Sequence, residues 1–452
     1  MHKYEKILTD LERQIAERCY KEGSRLPSIR QLSESWGVNK STVIRALEEL
    51  ESRHLVYSMP KSGYYVVKSS DDSAPVPADV IDFAVSAPDS AFFPYLDFQH
   101  CMNKAIDTYK NDLFVYGTPQ GLPALLVMMR KLLADYQVFT NIGSLFVVSG
   151  VQQALAILAA LPFPNGKTTV LIEQPGYHLF IEQLVTHGIP VIGIRRSREG
   201  TNLDELERLF RTEPVKFFYT MPRFHAPLGS SYRTEVKKKI AALARKYDVY
   251  VVEDDYLADL EADGKADPIH AYDKGERVIY LKSFSKIMFP GLRIGMAVIP
   301  GSLVDLFSRY KRIADIDSSM ISQGALEIYL KSGMFERHKH KIKAAYAARS
   351  RVLRQMLAEY GPLAGGAVQG IMEGEEHSPV HTHLLLNASV PQPQLAERLR
   401  KKSVVIEPID KHYLPDFPRD NYLKLNVSQV GEDEIRKGVR LLMEELGRYG
   451  GR

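Results

Sequence analysis

The spacing of apolar positions divides the chain into two stretches of different period. Between Tyr4 and Tyr20, the residues Tyr4, Ile7, Leu8, Leu11, Ile15 and Cys19 recur at three-four spacing, which predicts one helix face ended by Gly23. Ser28 follows Pro27 and opens a second helix that turns Ile29, Leu32 and Trp36 inward, with a turn at Gly37 and Val38. Asn39 or Ser41 caps a third helix, whose Val43, Ala46, Leu47 and Leu50 face the same core. LVYSMPKSGYYVV then reads as two short strands joined by a turn between Met59 and Gly63. Three helices and a hairpin describe a winged helix-turn-helix, with a helical dimerisation or cap domain as the other reading of the same pattern.

From Ile81 the pattern becomes strands alternating with helices. Apolar runs predict strands at 145–149, 168–173, 190–195, 216–220, 248–253, 278–282 and 294–299, with helices such as 152–160, 202–211 and 234–246 between them. Several runs are continuously apolar, which fits strands covered on both faces in a mostly parallel sheet of an α/β fold. Ligands of such sheets bind at strand C-termini. A long helix over 335–360 precedes a smaller α+β segment. The predicted layout is a head over 1–68, a linker over 69–80 and a body over 81–452, its large part about 115–330 and its small part about 331–452. The linker, SSDDSAPVPADV, has no hydrophobic period and spans about 40 Å when fully extended.

Composition adds limits. At 452 residues the chain exceeds one core, and 45% hydrophobic with 25% charged residues is ordinary for a globular protein. Two cysteines, Cys19 and Cys101, argue against a disulfide framework and fit a reducing, cytoplasmic setting. No apolar run is long enough to span a membrane. The net charge of +4 is uneven, because residues 1–70 hold twelve Lys or Arg against nine Asp or Glu. That surplus falls on the stretch whose third helix begins with small polar and basic residues suited to a major groove.

Chemistry concentrates in YLKSFSKIMFPGLRIGMAVIP, from Tyr280 to Pro300. A lysine between two apolar strands is poorly hydrated, so the amine of Lys286 loses its proton more readily and can form a Schiff base. Ser283, Ser285 and Arg293 lie close enough in sequence to hold a phosphate, the arginine by a charged fork. A basic loop at a sheet edge is the alternative. Elsewhere, SGVQQAL sets Gly150 and Val151 at a helix start, where free N–H groups can receive phosphate. VYVVEDDYLADL gathers Glu253, Asp254 and Asp255 at a strand end, with Asp255 read as an exposed acidic turn.

These motifs resemble known families. S-F-S-K-x-x-x-P-G-L-R-x-G is similar to the cofactor-lysine signature of fold-type I aminotransferases, which hold pyridoxal 5'-phosphate (PLP). The resemblance implies that Lys286 carries the aldimine and that Ser283, Ser285 and Arg293 bind the phosphate with Gly150, Val151 and Gln152. It further implies that Tyr177 stacks on the ring, Asp254 meets the pyridine nitrogen and Tyr256 binds the ring oxygen. LFVYGTPQGLPALL resembles the segment whose tyrosine, here Tyr116, reaches the neighbouring subunit's phosphate, which implies a homodimer. GSRLPSIRQLSESWGVNKSTVIRALEEL with KSGYYV resembles the GntR-type DNA-binding domain. It implies contacts to double-stranded operator DNA from Arg25, Arg30, Asn39, Lys40, Ser41, Thr42 and Arg45, with Lys61 and Gly63 in the wing. Such a head on such a body resembles MocR-type transcription regulators.

The chain departs from the enzymes at three positions. PRFHAPLG has Ala226 where an asparagine often touches the ring oxygen, with His225 its polar neighbour. YLKLNVS places Lys424 where an arginine usually grips a substrate carboxylate, and Leu179 stands where some related regulators have an arginine. The implied function is a PLP-dependent, DNA-binding transcription regulator that senses an amine or amino acid by aldimine exchange, with Lys424 on the effector carboxylate and no metal. An aminotransferase with an accessory DNA-binding head is the rival, and a regulator that has lost PLP chemistry the third reading.

Overall fold

The computed structural model describes residues 3–17, 19–20, 23–53, 55–59, 62–67, 80–264, 266–273, 277–371 and 380–450. The predicted linker therefore lies outside the described residues except for Val80, and so does Lys61 of the predicted wing. The chain divides into two compact units, Met1–Asp79 and Val80–Arg452.

The first unit packs helices Lys3–Ala16, Ile29–Trp36 and Lys40–Ser52 beside an antiparallel hairpin, Val56–Met59 with Gly63–Val66, in which Met59 pairs with Gly63. Ser28 closes a capping box. Its hydroxyl accepts from the Gln31 N–H, and the Gln31 side chain accepts from the Ser28 N–H at 2.8 Å. Gly37 ends that helix in the left-handed region at φ 59°. Ile7, Leu8, Leu11, Leu26, Leu32, Val43, Ala46, Leu47 and Leu50 form the core with Val56 and Val66. Two expectations fail here. The first helix stops at Ala16, so Cys19 lies beyond it and is exposed. Trp36 is 36% exposed, because it is the last residue before the Gly37 turn and a helix of eight residues buries only Leu32 fully.

In the second unit an eight-stranded sheet runs in the order Leu145–Val148, Gly295–Val298, Val278–Ser283, Tyr250–Asp254, Val215–Thr220, Thr169–Gln174, Val191–Ser197 and Gly200–Thr201. Gly295–Val298 and the edge strand Gly200–Thr201 are antiparallel to their neighbours, and the others share one direction. Successive residues of one strand enter different cores. Val170 and Ile172 pack with the helix Val151–Ala160, while Leu171 packs with the helix Thr234–Lys246. This is why the strands read as continuous apolar runs.

A four-stranded antiparallel sheet follows, ordered Val368–Ile371, His381–Leu386, Tyr422–Asn426 and Glu407–Pro408, packed on the helices Met334–Tyr360 and Glu432–Gly447. Ile81–Asp82, which no periodicity assigns to either part, pairs in parallel with Val404–Val405. Phe83 enters the same small core, so the first residues after the linker belong to the C-terminal part of the unit.

Candidate functional site

The C-terminal ends of the parallel strands and one edge of the small sheet enclose a cavity of about 360 Å³. The large sheet contributes Gly150, Val151 and Gln152 after its first strand, Tyr177 after Thr169–Gln174, Asp254 and Tyr256 at the end of Tyr250–Asp254, and Ser283, Ser285 and Lys286 after Val278–Ser283. Arg293 closes the turn before Gly295–Val298, and Lys424 enters from the small sheet. Six sequence-distant segments thus deliver to one space the pocket residues expected from this chain itself. Tyr116 does not line it. That side chain is 79% exposed on the surface of its own chain, beside the exposed Phe114 and Val115.

Gly150 adopts φ 84°, and an added Cβ there would come within 2.9 Å of the Arg293 guanidinium, so only glycine lets the arginine cross the helix start. Arg293 donates to the Ser149 carbonyl at 2.9 Å, and Ser283 Oγ accepts from the Ser285 N–H at 3.1 Å. A cation, hydroxyls and the N-terminal N–H groups of Val151–Ala160 therefore converge, an arrangement suited to a phosphate.

The opposite end is acidic. Asp254 Oδ2 accepts from the Tyr219 hydroxyl at 2.8 Å, whereas Oδ1 is buried with no hydrogen-bond partner among the described residues. Burial pushes this carboxyl up to about 7, against the Tyr219 hydrogen bond, which favours the charged form. Burial likewise raises the Tyr177 hydroxyl to about 12, with Asp254 adding to the rise and a Gln152 hydrogen bond opposing it. Tyr256 donates to the Phe224 carbonyl at 2.8 Å. Asp255 is not an exposed turn. It is 1% exposed, lies 3.6 Å from Arg223 and accepts from the Tyr280 hydroxyl at 2.9 Å, with its own N–H still paired to the Leu281 carbonyl of the neighbouring strand.

Lys286 donates to the Ser86 carbonyl, and burial first, then the charge of Lys424, lowers its amine to about 8. Lys424 donates to Ser86 Oγ at 2.8 Å and Asn426 to the same oxygen at 3.3 Å. Leu179 lines the wall, while His225 points away from the cavity, 3.4 Å from Glu173. Sequence reasoning missed Ser86, Tyr219, Asn426 and the cavity-lining His178, His381 and His412. Asn426 lies within the YLKLNVS segment quoted for Lys424 and His178 directly follows Tyr177, whereas Ser86, Tyr219, His381 and His412 sit in no motif and reach the site through tertiary pairing alone.

On the first unit, Asn39, Lys40 and Ser41 are exposed at the start of the helix Lys40–Ser52, with Thr42 half-buried behind them. Arg30 is exposed and paired with Glu34 at 2.9 Å. Arg45 lies over the Tyr4 ring at 4.2 Å, and Arg25 lies against Gly63, whose φ is 114°.

A winged helix-turn-helix joined to an aminotransferase-like domain with a lysine-centred pocket defines a class of transcription regulators. The chain belongs to it. Residues 78–442 match the aminotransferase class I and II family, residues 3–66 match the bacterial regulatory proteins of the gntR family, and the protein is a MocR-type regulator. It is 57% identical over 446 residues to the uncharacterized HTH-type transcriptional regulator YcxD of Bacillus subtilis, covering 99% of this chain and 100% of that one. It is 28% identical to the probable rhizopine catabolism regulatory protein MocR of Rhizobium meliloti, over 75% of each chain. Among solved structures, kynurenine aminotransferase of Pyrococcus horikoshii in complex with PMP is similar at TM-score 0.74 and 27% identity, over 82% of this chain and 92% of that one.

Proposed function

We propose that the cavity binds PLP at Lys286 and that an amine or amino acid, by competing with Lys286 for it, regulates DNA binding by the winged helix-turn-helix. The observation that carries the reading is the pairing, in one cavity, of a lysine amine lowered to about 8 with a buried carboxylate oxygen that has no partner. A buried acceptor left unsatisfied is costly unless a ligand supplies the donor, and a protonated ring nitrogen is such a donor. The bound cofactor would supply an aldehyde that condenses with primary amines. Ser283, Ser285, Arg293 and the Gly150–Gln152 turn would hold its phosphate, Tyr177 its ring face and Tyr256 its ring oxygen. Lys424 is the cation placed for an effector carboxylate, as a point charge lacking an arginine's fork.

Two further parts of the reading rest on exposed residues. Asn39, Lys40, Ser41 and Thr42 would enter the major groove, while Arg25, Arg30, Arg45 and the wing at Gly63 meet the backbone. Phe114, Val115 and Tyr116, each more than half exposed, are better explained in a homodimer that covers them and brings Tyr116 to the partner's phosphate site. A DNA-binding regulator of this kind would act in the cytoplasm. The test is borohydride reduction of the full chain incubated with PLP, followed by peptide mass spectrometry. The cofactor mass should appear on Lys286 and vanish in Lys286→Ala, which keeps its affinity for DNA. Labelling that persists in that variant on Lys282 or another lysine would refute the assignment.

A further inference from the structure

Two buried amines share one serine. Lys286 donates to the backbone carbonyl of Ser86, and Lys424, 8% exposed, donates to its hydroxyl at 2.8 Å. Among the described residues neither amine has a carboxylate partner. Glu407 and Asp82 act on Lys424 only through space: Glu407 stands opposite it across the strand pair but accepts from Lys411 at 2.6 Å, and Asp82 accepts from the Ala84 and Val85 N–H groups. Ser86 itself is fixed. Asn426 donates to its hydroxyl while Asn426 Oδ1 accepts from the Ser428 N–H at 2.8 Å, and the next two residues are tied down by Ser428 to the Ala87 carbonyl and Gln429 to the Pro88 carbonyl. Placing two ammonium groups around one residue is unfavourable in a partly desolvated cavity, so an arriving anion gains more there than on an open surface.

The other groups around Lys286 do not replace Lys424 as the charge that acts on it. His178 from the helix His178–Thr186, His381 from the small sheet and His412 from the turn at Asp410–His412 are driven to about 4, 3 and 3 by burial, so they are neutral near pH 7. Asp254 releases its proton only near 7, and the hydroxyls of Tyr177, Tyr256 and Tyr346 stay protonated. Arg293 is held on the Ser149 carbonyl at the other end of the cavity.

We infer that the charge of Lys424, held against Ser86, adds to burial in lowering the proton occupancy of the Lys286 amine, so that an anionic group arriving at Lys424 raises that occupancy. This rests on the reading of Lys286 as the reactive lysine, and it makes Lys424 a positioning residue with an electrostatic effect as well as an effector contact. An effector with a carboxylate would thereby keep the Lys286 amine protonated once displaced and slow its return to the cofactor, whereas a simple amine would not. The cavity would discriminate between the two by charge coupling in addition to direct grip.

The test uses the full chain without cofactor. Trace acetic anhydride labels only unprotonated amines, and fragment mass spectra across a pH series give the titration midpoint of Lys286 apart from Lys282. In Lys424→Met the midpoint should rise by about one pH unit, the low end of what loss of a nearby like charge does. Lys424→Arg should keep the wild-type midpoint. Propionate, as the probe anion, should raise the midpoint of wild type and leave Lys424→Met unmoved. An unchanged midpoint in Lys424→Met, an equal shift in Lys424→Arg, or a propionate effect of the same size in both wild type and Lys424→Met would each overturn the inference. Because no cofactor is present, a chain that fails to take up PLP removes the proposed function by a separate result.

Discussion

Asp254 offers a measurable conflict between stability and cofactor binding. The residue is 4% exposed, and burial moves its carboxyl from 3.8 to about 7. The folded chain therefore holds this proton more tightly than the unfolded chain does. Its full contribution to stability is present below the unfolded value and is lost as pH rises through about 7. A shift of roughly three units corresponds to a loss of up to about 4 kcal/mol in the cofactor-free protein. Asp254→Asn has the shape of the protonated acid, retains an oxygen for the Tyr219 hydroxyl and never ionises. At about pH 8 the variant should unfold several degrees above wild type, and at about pH 5 the gap should shrink. Scanning calorimetry follows the effector unit, while the fluorescence of Trp36, the only tryptophan, isolates the DNA-binding unit and should not change. Added PLP should stabilise wild type more than Asp254→Asn, since the variant offers no carboxylate to a protonated ring nitrogen. A variant no more stable than wild type at about pH 8, or one equally stabilised by PLP, would refute the reasoning.

Two more outcomes are expected. Asp255→Ala leaves Arg223 buried with Glu261, at 3.7 Å, as its remaining ion pair among the described residues, and should cost the second unit about 3 kcal/mol in denaturant unfolding; a loss below about 1 would mean the pair is not a structural tie. Lys40→Ala should weaken DNA binding and reduce the slope of log affinity against log salt by about one, measured by fluorescence anisotropy, and an unchanged slope would remove Lys40 from the phosphate contacts.

The readable parts of this sequence were local ones. The cavity lysine Lys286, the strand-end carboxylates and the glycine turn each occupy a few consecutive residues, and buried strands announce themselves as apolar runs. Trp36 misled because helical spacing fixes a face but not how far a partner surface extends at a helix end. Asp255 misled because two adjacent carboxylates look solvated until Arg223, 32 residues earlier, is seen beneath them. Ser86 and Tyr219 carry no local signature, since serine and tyrosine are common everywhere. Their meaning comes only from the residues that folding places beside them.

The pairing of Ile81–Asp82 with Val404–Val405, and of Ser86 with Lys424 across 338 residues, also orders events in time. The helix-turn-helix draws its described core from residues before Val67, whereas the cavity gains its second lysine only after Lys424 has been made. At ribosomal rates of 5–20 residues per second, the interval between the two is on the order of 20–70 s. A nascent chain thus completes the core of its winged helix-turn-helix before it completes the cavity. On the proposed function, every newly made molecule passes through a stage in which nothing can instruct it.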